Sequence, residues 1–238
     1  MTGYRSFACW MLAAVVALGL CSGAGADTDQ KTEQQLPSEQ TLYAGWRSSQ
    51  ILGSHIFSKK GEYLGRVRNI VVADNGQVRA LIAEEAGIGI TPEFVFRLPW
   101  EDVVKPVRGG ALIADLTDVR SRQYGLFPLP LGEPDENKPH VEDFLVTKVL
   151  GDYARLQTGA GYGLVKDVVF SQHGRMLAVL IARDAAQGGG TLAFPYPGRT
   201  GRWSPSASYY GLPFVTAEQA DRAGLQVDSK RFEDRGAG

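Results

Sequence analysis

Short runs of alternating apolar and polar residues, separated by turns, dominate the chain after its N-terminal segment. Residues 64–73 carry such a run, and Asp74-Asn75-Gly76 follows it. Asparagine and glycine tolerate the positive φ angles that tight hairpin turns require. Residues 78–83 resume the apolar pattern and are expected to return as the partner strand. The pattern therefore predicts a β-hairpin at this position.

Further strands are expected on both sides of this hairpin. Residues 50–57 form one candidate, and residues 94–100 and 110–115 form two more. Residues 116–123 have some helical character and are followed by Gly125 as a helix terminator. Roughly four to six short strands with a turn at every junction are typical of a small closed or partly closed barrel.

The same pattern occurs twice along the chain. When the sequence is shifted by 98 residues, glycines of the first copy fall on glycines of the second without a gap: Gly53 on Gly151, Gly61 on Gly159, Gly65 on Gly163 and Gly76 on Gly174. Glycines at turns and close approaches are hard to replace, so this coincidence favours an internal duplication. The register then slips by one residue, which matches 81–83 to 180–182, and returns with Phe96 on Phe194. A β-bulge or a misaligned weak repeat would each explain the slip.

The segments outside the two copies differ from them in character. Residues 125–140 contain four prolines, which block strand pairing and favour a stiff, exposed linker. After the second copy, Thr216 is placed as the N-cap of a short helix that ends at Gly224. We expect residues 27–45 to be disordered and residues 225–238 to form a flexible tail.

The first 26 residues have the organisation of a secretory signal. A single arginine precedes an apolar run at residues 7–20, and Ala24-Gly25-Ala26 places small residues where signal peptidase accepts them. We predict cleavage between Ala26 and Asp27 and a periplasmic or secreted mature protein. A retained membrane anchor is an alternative, but the run is shorter than the ~20 residues that a spanning helix needs. Lipidation at Cys21 is a second alternative, weakened by the large leucine that precedes it.

Cleavage changes what the composition allows. Both cysteines, Cys9 and Cys21, leave with the signal, so the mature chain would hold no disulfide, thiolate nucleophile or cysteine-bound metal. Of the 25 basic and 26 acidic side chains only Arg5 is lost, which leaves a net charge of −2. Such a chain lacks the positive charge typical of nucleic-acid-binding proteins, so we expect no nucleic-acid partner.

Candidate catalytic and metal-binding residues are sparse. His55, His140 and His173 are separated in the sequence, and no pair has a metal-ligand spacing. The Gly-x-Ser-x-Gly motif of a nucleophile elbow is absent as well. We therefore expect no catalytic residues, no cofactor and no metal site, and we do not expect an enzyme.

Aromatic residues gather toward the C-terminal side of the second copy. Tyrosine and tryptophan are favoured where one end of a side chain is buried and the other stays wet, as at interfaces. The favoured interpretation is that these residues complete the second core, and the alternative is that they form a surface for a partner. The residues of this candidate partner surface are Tyr196, Trp203, Tyr209, Tyr210 and Phe214.

Residues 48–104 resemble the PRC-barrel domain, a small β-barrel module. The resemblance rests on Gly53, Gly61, Leu64-Gly65-Arg66-Val67, the Asp74-Asn75-Gly76 hairpin and the Leu98-Pro99-Trp100-Glu101 ending, with residues 111–123 matching a tail that such domains often carry. Residues 145–197 resemble the family less closely, because Phe194-Pro195-Tyr196-Pro197 replaces the usual ending. The resemblance implies a binding or assembly role and supplies no catalytic residues.

Together these features predict a mainly β protein with two small PRC-barrel-like barrels, each followed by short helices, on a proline-rich linker. The predicted boundaries are a signal peptide at 1–26, a disordered segment at 27–45, a first domain at 46–124, a linker at 125–140, a second, divergent domain at 141–224 and a flexible tail at 225–238. The favoured function is non-enzymatic binding or scaffolding of an envelope or membrane-associated protein partner. Two alternatives stay open: a small enzyme or small-ligand binder that uses the cleft between the barrels, and a self-associating structural protein.

Overall fold

The computed structural model describes residues 36–85, 94–105, 110–116, 143–196, 198 and 208–233, and we call its parts up to residue 116 the first half and from residue 143 the second half. The first half contains, in chain order, α1 (Glu39–Ala44), β1 (Trp46–Arg47), α2 (Ser48–Ile51), β2 (His55–Ser58), β3 (Tyr63–Val72), β4 (Val78–Glu85), β5 (Phe94–Pro99), a 3₁₀ turn (Trp100–Asp102) and β6 (Ala111–Ala114). The second half contains β7 (Phe144–Leu145), a 3₁₀ turn (Val146–Lys148), β8 (Tyr153–Arg155), β9 (Gly161–Phe170), β10 (Met176–Arg183), a 3₁₀ turn (Ala185–Gln187), β11 (Thr191–Pro195), β12 (Tyr209–Gly211), α3 (Ala217–Ala223), β13 (Leu225–Gln226) and α4 (Lys230–Glu233). These elements confirm the predicted mainly β class with a few short helices.

The strands form two sheets. One follows the order β5-β4-β3-β2-β6, with β7 paired to β3 as an extra strand. The other follows β12-β8-β9-β10-β11-β13, with β1 paired to β9. Among the strand pairs that the structure describes, β2–β6 and β8–β12 are parallel and the others are antiparallel. Between β5 and β6 the described residues form an isolated bridge, Val103 to Ala114, rather than a continuous ladder. Of the closed or partly closed barrel that the pattern predicts, the closed form is not seen in this part of the chain.

The predicted β3–β4 hairpin is confirmed. The Ala73 N–H donates to the Gln77 carbonyl at 2.8 Å, and Gly76 has a φ of +83°. Only glycine adopts this left-handed conformation without strain, because it has no Cβ. The turn chemistry of Asp74-Asn75-Gly76 therefore fixes the hairpin locally.

The strand bounds recur with the same shift of 98 residues that relates the glycines. β3 and β4 span 63–72 and 78–85, and β9 and β10 span 161–170 and 176–183. Each hairpin also has its two bulges at corresponding places. Because both hairpins carry their bulges at the same places, the bulges leave the shift of 98 residues unchanged, and Leu81 corresponds to Val179. The one-residue slip inferred from the sequence is thus a misalignment of similar residues.

A true difference between the halves lies at their fifth strands. Leu98 pairs with Leu81, and Phe194 occupies the corresponding position opposite Val179. The sequence match of Phe96 to Phe194 is therefore wrong by two residues. In the structure, the residue that corresponds to Trp100 is Tyr196.

The two halves exchange their first strands. β1 of the first half pairs with β9, with Trp46 opposite Phe170. β7 of the second half pairs with β3, with Phe144 opposite Val72. The two hairpin tips also bond to each other, since the Val78 N–H donates to the Gly174 carbonyl and the Met176 N–H to the Gly76 carbonyl, both at 2.8 Å. We call this combined arrangement the interlock.

Polar side chains fasten both exchanged segments. The Ser48 hydroxyl donates to buried Asp167 on β9 at 2.6 Å, and the Ser49 hydroxyl donates to the second oxygen of that carboxylate. At the corresponding place in the other sheet, the Asn69 amide donates to the Thr147 hydroxyl at 2.7 Å. A buried carboxylate is stable only when its oxygens are bonded, so the Asp167 contacts fix the position of α2 on the second sheet.

Aromatic side chains fill the space between the halves. Trp46 stacks on Phe170 with ring centroids 4.5 Å apart, and Trp100 lies 5.4 Å from Trp46. Each half also reaches the other's hairpin tip through one aromatic side chain. The Trp100 indole N–H donates to the His173 carbonyl at 3.1 Å, and the Tyr196 hydroxyl donates to the Asp74 carbonyl at 3.3 Å. A single apolar core therefore extends through both halves.

The predicted strand at residues 50–57 begins later than expected. Ser48–Ile51 is a helical turn, because the Gln50 side chain accepts from the Arg47 N–H and the two serines bond to Asp167. The strand starts only at His55, after Gly53 with a φ of +82°. The tertiary contact with Asp167 thus overrides the local preference for an extended chain.

Both segments expected to lack structure contain ordered, packed residues, which corrects the predictions for 39–45 and 225–233. Tyr43 of α1 packs on Phe232 of α4 at a centroid distance of 4.8 Å, and its hydroxyl accepts from the Asp228 N–H at 2.8 Å. Glu39 and Arg231 form an ion pair beside them. These side chains cover an apolar outer face of the second sheet formed by Val169, Ala178, Leu180 and Ala193. Burial of the terminal side chains on this apolar face stabilises both segments, and their own sequences do not indicate this contact.

Several predicted features lie outside the described residues. These are the signal peptide, the helix and linker expected between 117 and 140, and Trp203 and His140. Among the helices that are described, none has both the length and the apolar character that crossing a membrane would require.

Replacement of Gly174 by alanine tests the packing at the hairpin tip. A methyl group there would clash with the Trp100 indole, and the φ of +79° is strained for alanine. Gly159→Ala is the matched control, because its φ is +84° but no atom lies within 4 Å of the added methyl group. We expect Gly159→Ala to cost about 1–2 kcal/mol of unfolding free energy and Gly174→Ala about 1–3 kcal/mol more, measured by urea denaturation. Equal losses would contradict the close contact.

Candidate functional site

The structure disperses the aromatic residues that the sequence groups together as a partner surface. Tyr196 and Tyr210 are buried, so their assignment to a surface is wrong. Phe214 is partly buried and packs 5.8 Å from Phe194. Tyr209 alone of the four described members is largely exposed, at 40%. The favoured interpretation, that these residues complete the second core, describes Tyr196 and Tyr210 correctly.

An exposed row of apolar side chains crosses the first sheet instead. Phe57 on β2 lies opposite Tyr63 on β3 and beside Ile113 on β6. Tyr63 is 44% exposed and Ile113 is 40% exposed. His55 packs edge-on against Phe57 and Tyr63, with centroid distances of 6.4 and 5.7 Å. We call Tyr63, Phe57 and Ile113 the first apolar row.

A second row lies at the related strands of the second sheet. Tyr153 on β8 is opposite Leu164 on β9 and beside Tyr209 on β12. Leu164 is 45% exposed and Tyr209 is 40% exposed. Because side chains at paired positions of neighbouring strands share a face, these three residues form one surface. We call them the second apolar row.

Sequence reasoning missed most members of both rows for one reason. The prediction of a partner surface rested on the aromatic residues near the end of the second copy, and it left out the strand face on which Phe57, Ile113 and Leu164 lie. The available signal was their phase, because in β2 and β6 the buried residues Ile56 and Leu112 occupy the opposite face. Alternation therefore places Phe57 and Ile113 on the outside.

The two histidines that the structure describes, His55 and His173, lie in different surroundings. His55 packs against Phe57 and Tyr63 of the first apolar row, and His173 lies at a hairpin tip where its carbonyl accepts from Trp100. In the residues that the structure describes, no three His, Cys, Asp or Glu side chains lie together as a metal site would require.

A hydrogen-bonded network holds α3 against the second sheet. The Tyr162 hydroxyl donates to Asp221 at 2.5 Å, and Arg183 bonds the same carboxylate oxygen at 2.9 Å. Burial raises the pKa of Tyr162, and its bond to Asp221 raises it further. The same bond lowers the pKa of the Asp221 carboxyl. These shifts belong to a structural contact that orients the helix.

The family comparison agrees with the strand pattern of the first half. Residues 46–120 match the PRC-barrel domain. The chain contains a PRC-barrel domain. The first apolar row lies within this domain, whereas β7, which pairs with β3, comes from outside it. A search of curated proteins found no match to the chain.

Two tyrosine substitutions test the contribution of the Tyr162–Asp221 hydrogen bond to stability. The control is Tyr210, whose buried hydroxyl has no hydrogen-bond partner in the described part of the chain. We expect Tyr210→Phe to change the unfolding free energy by less than about 0.5 kcal/mol or to raise it, and Tyr162→Phe to lower it by about 1–2 kcal/mol at neutral pH.

The pH dependence of the Tyr162→Phe loss provides a second check. Because the folded-state pKa of Asp221 is lowered, its contribution is present above the ordinary carboxyl range and disappears as the pH falls through the folded-state value. The difference between wild type and Tyr162→Phe, measured by denaturation across acidic pH, should therefore shrink. A difference that grows at low pH, or an equal loss in Tyr210→Phe, would contradict this assignment.

Proposed function

We propose that this protein is a non-enzymatic binding or scaffolding protein of the bacterial envelope, which holds a protein partner on two PRC-barrel-like halves. The observation that carries the proposal is the pair of exposed apolar rows on corresponding strands. Tyr63, Ile113, Leu164 and Tyr209 each expose at least 40% of their surface. Exposed apolar side chains in a contiguous group are typical of protein interaction sites.

The packing between the halves favours binding over catalysis in a cleft. A cleft enzyme needs convergent polar groups around a concave site. At the interlock the facing side chains include Trp46, Trp100, Phe170 and Tyr196, which belong to the shared apolar core. This packing supports the binding function over the alternative of an inter-barrel ligand site.

The interlock also suits a scaffold. The two halves are joined by exchanged strands and by the bonded hairpin tips, so the rows are carried by one connected body. A rigid carrier lowers the entropy cost of engaging two weak sites together. The second PRC-barrel-like half is therefore proposed to act with the first rather than as an independent unit.

Export is the remaining part of the proposal. The signal-like residues 1–26 support delivery to the periplasm, where an envelope or membrane-associated partner would be available. Self-association through the apolar rows is the second candidate, because the same exposed side chains would suit a second copy.

Photocrosslinking in intact cells tests the proposal. A photoreactive amino acid at Tyr63 or Tyr209 should give a discrete adduct with a distinct protein, because both side chains are exposed in the rows. The matched control is Arg79, an exposed strand residue outside the rows, which should give no such adduct. We also expect the protein in the periplasmic fraction with Asp27 as its first residue.

Each alternative result has a definite meaning. Adducts that contain only a second copy would favour self-association. Absence of adducts above the Arg79 control at both positions, or a chain that keeps residues 1–26 and stays in the cytoplasm, would contradict the proposed function.

A further inference from the structure

The geometry points to a carboxylate-binding groove at the end of the β8–β12 pair, where Arg155 receives an acidic segment of the protein partner. This inference rests on the proposed function and specifies the partner's chemistry. The groove has a volume of about 390 Å³ and is lined by Arg155, Leu156, Gln157, Gly159, Tyr209, Gly211 and Leu212. It adjoins the second apolar row through Tyr209.

The position of Arg155 over the Tyr209 ring is suited to binding an anion. Its guanidinium carbon lies 5.1 Å from the centroid of the Tyr209 ring. Arginine stacked on an aromatic ring keeps its N–H groups directed outward in a planar fork that matches a carboxylate. Arg155 is exposed, and no acidic side chain pairs with it among the residues that the structure describes. Its charge is thus available to a second molecule.

The corresponding place in the first half has a different arrangement of charges. There Lys59 forms an ion pair with Asp115 at 2.7 Å. The residues that correspond to this pair in the second half are Gln157 and Pro213, and the Gln157 amide donates to the Pro213 carbonyl at 3.2 Å. The first half therefore pairs its cation within the chain, whereas the second half has a proline in place of the acidic residue and carries Arg155 nearby.

The shape of the groove favours a segment of a larger molecule. It is a shallow surface feature rather than an enclosed cavity, and two of its lining residues are glycines that let a backbone approach closely. An acidic residue followed by apolar side chains would place its carboxylate on Arg155 and its apolar part along Tyr209. The second apolar row then continues the contact toward Tyr153 and Leu164.

Peptide titration of the mature, ¹⁵N-labelled full chain tests the groove by NMR. The probes are a short peptide with glutamate beside leucine, the same peptide with glutamine, and inorganic phosphate. We expect the glutamate peptide to shift the amide signals of Arg155, Gln157, Gly159 and Gly211. Arg155→Gln should weaken its binding by about threefold to tenfold. Arg79→Gln, which removes an exposed arginine elsewhere, should leave the affinity unchanged.

The outcomes separate this inference from the proposed function. Equal binding of the glutamine peptide, unchanged affinity in Arg155→Gln, or equally tight binding of phosphate at the same signals would overturn the groove as a site for acidic protein segments. If the titration fails while crosslinking at Tyr63 or Tyr209 still captures a distinct protein, the groove is wrong and the binding function stands. If the titration succeeds but crosslinking captures no partner, the groove is retained as a carboxylate site and the proposed function fails.

Discussion

The exchange of first strands between the two halves is the constraint on which the rest of the structure depends. β1 and β7 have two residues each, too few to hold a sheet position by backbone bonds alone. Their side chains supply what the short ladders lack, because Trp46 and Phe144 are buried in the shared core. Burial of a large apolar side chain contributes about 1.5–3 kcal/mol relative to exposure. Separation of the halves would expose these side chains together with Trp100 and Tyr196.

The polar contacts of the interlock fix the positions of the exchanged segments on the two sheets. Asp167 accepts from both Ser48 and Ser49, and Asn69 makes the related but uncharged contact with Thr147. Apolar attraction is non-directional, whereas a buried carboxylate requires hydrogen-bond donors at its oxygens. The exchanged strands therefore have a defined register, and the outward rows of both halves are fixed relative to the strands that carry them. This fixed arrangement is the structural basis on which the proposed scaffold would present two surfaces at once.

The sequence predicted the features that depend on local chemistry and missed those that depend on distant contacts. The hairpin at Asp74-Asn75-Gly76 and the α3 helix capped by Thr216 are local, and both are confirmed. The exchange of β1 and β7 joins residues far apart in the chain, and strand patterns carry no information about which sheet a strand enters. The terminal segments were wrongly predicted to lack structure for the same reason, since the packing of Tyr43 on Phe232 has no local signature. Of the residues predicted to form a partner surface, Tyr209 is exposed, whereas Tyr196 and Tyr210 are buried in the shared core and do not belong to a surface.

The interlock is tested most directly by a disulfide across the two hairpin tips. Gln77 and Arg175 form an antiparallel bridge flanked by the two 2.8 Å bonds between the tips. Residues at such a non-hydrogen-bonded position have Cα atoms about 4.5 Å apart, within the range that a disulfide spans. In the mature chain, expected to be free of cysteine, Gln77→Cys combined with Arg175→Cys should oxidise spontaneously within a monomer, seen as loss of both free thiols and an unchanged elution volume. Free thiols in the folded protein, or a crosslink that forms only between two chains, would contradict the intramolecular interlock.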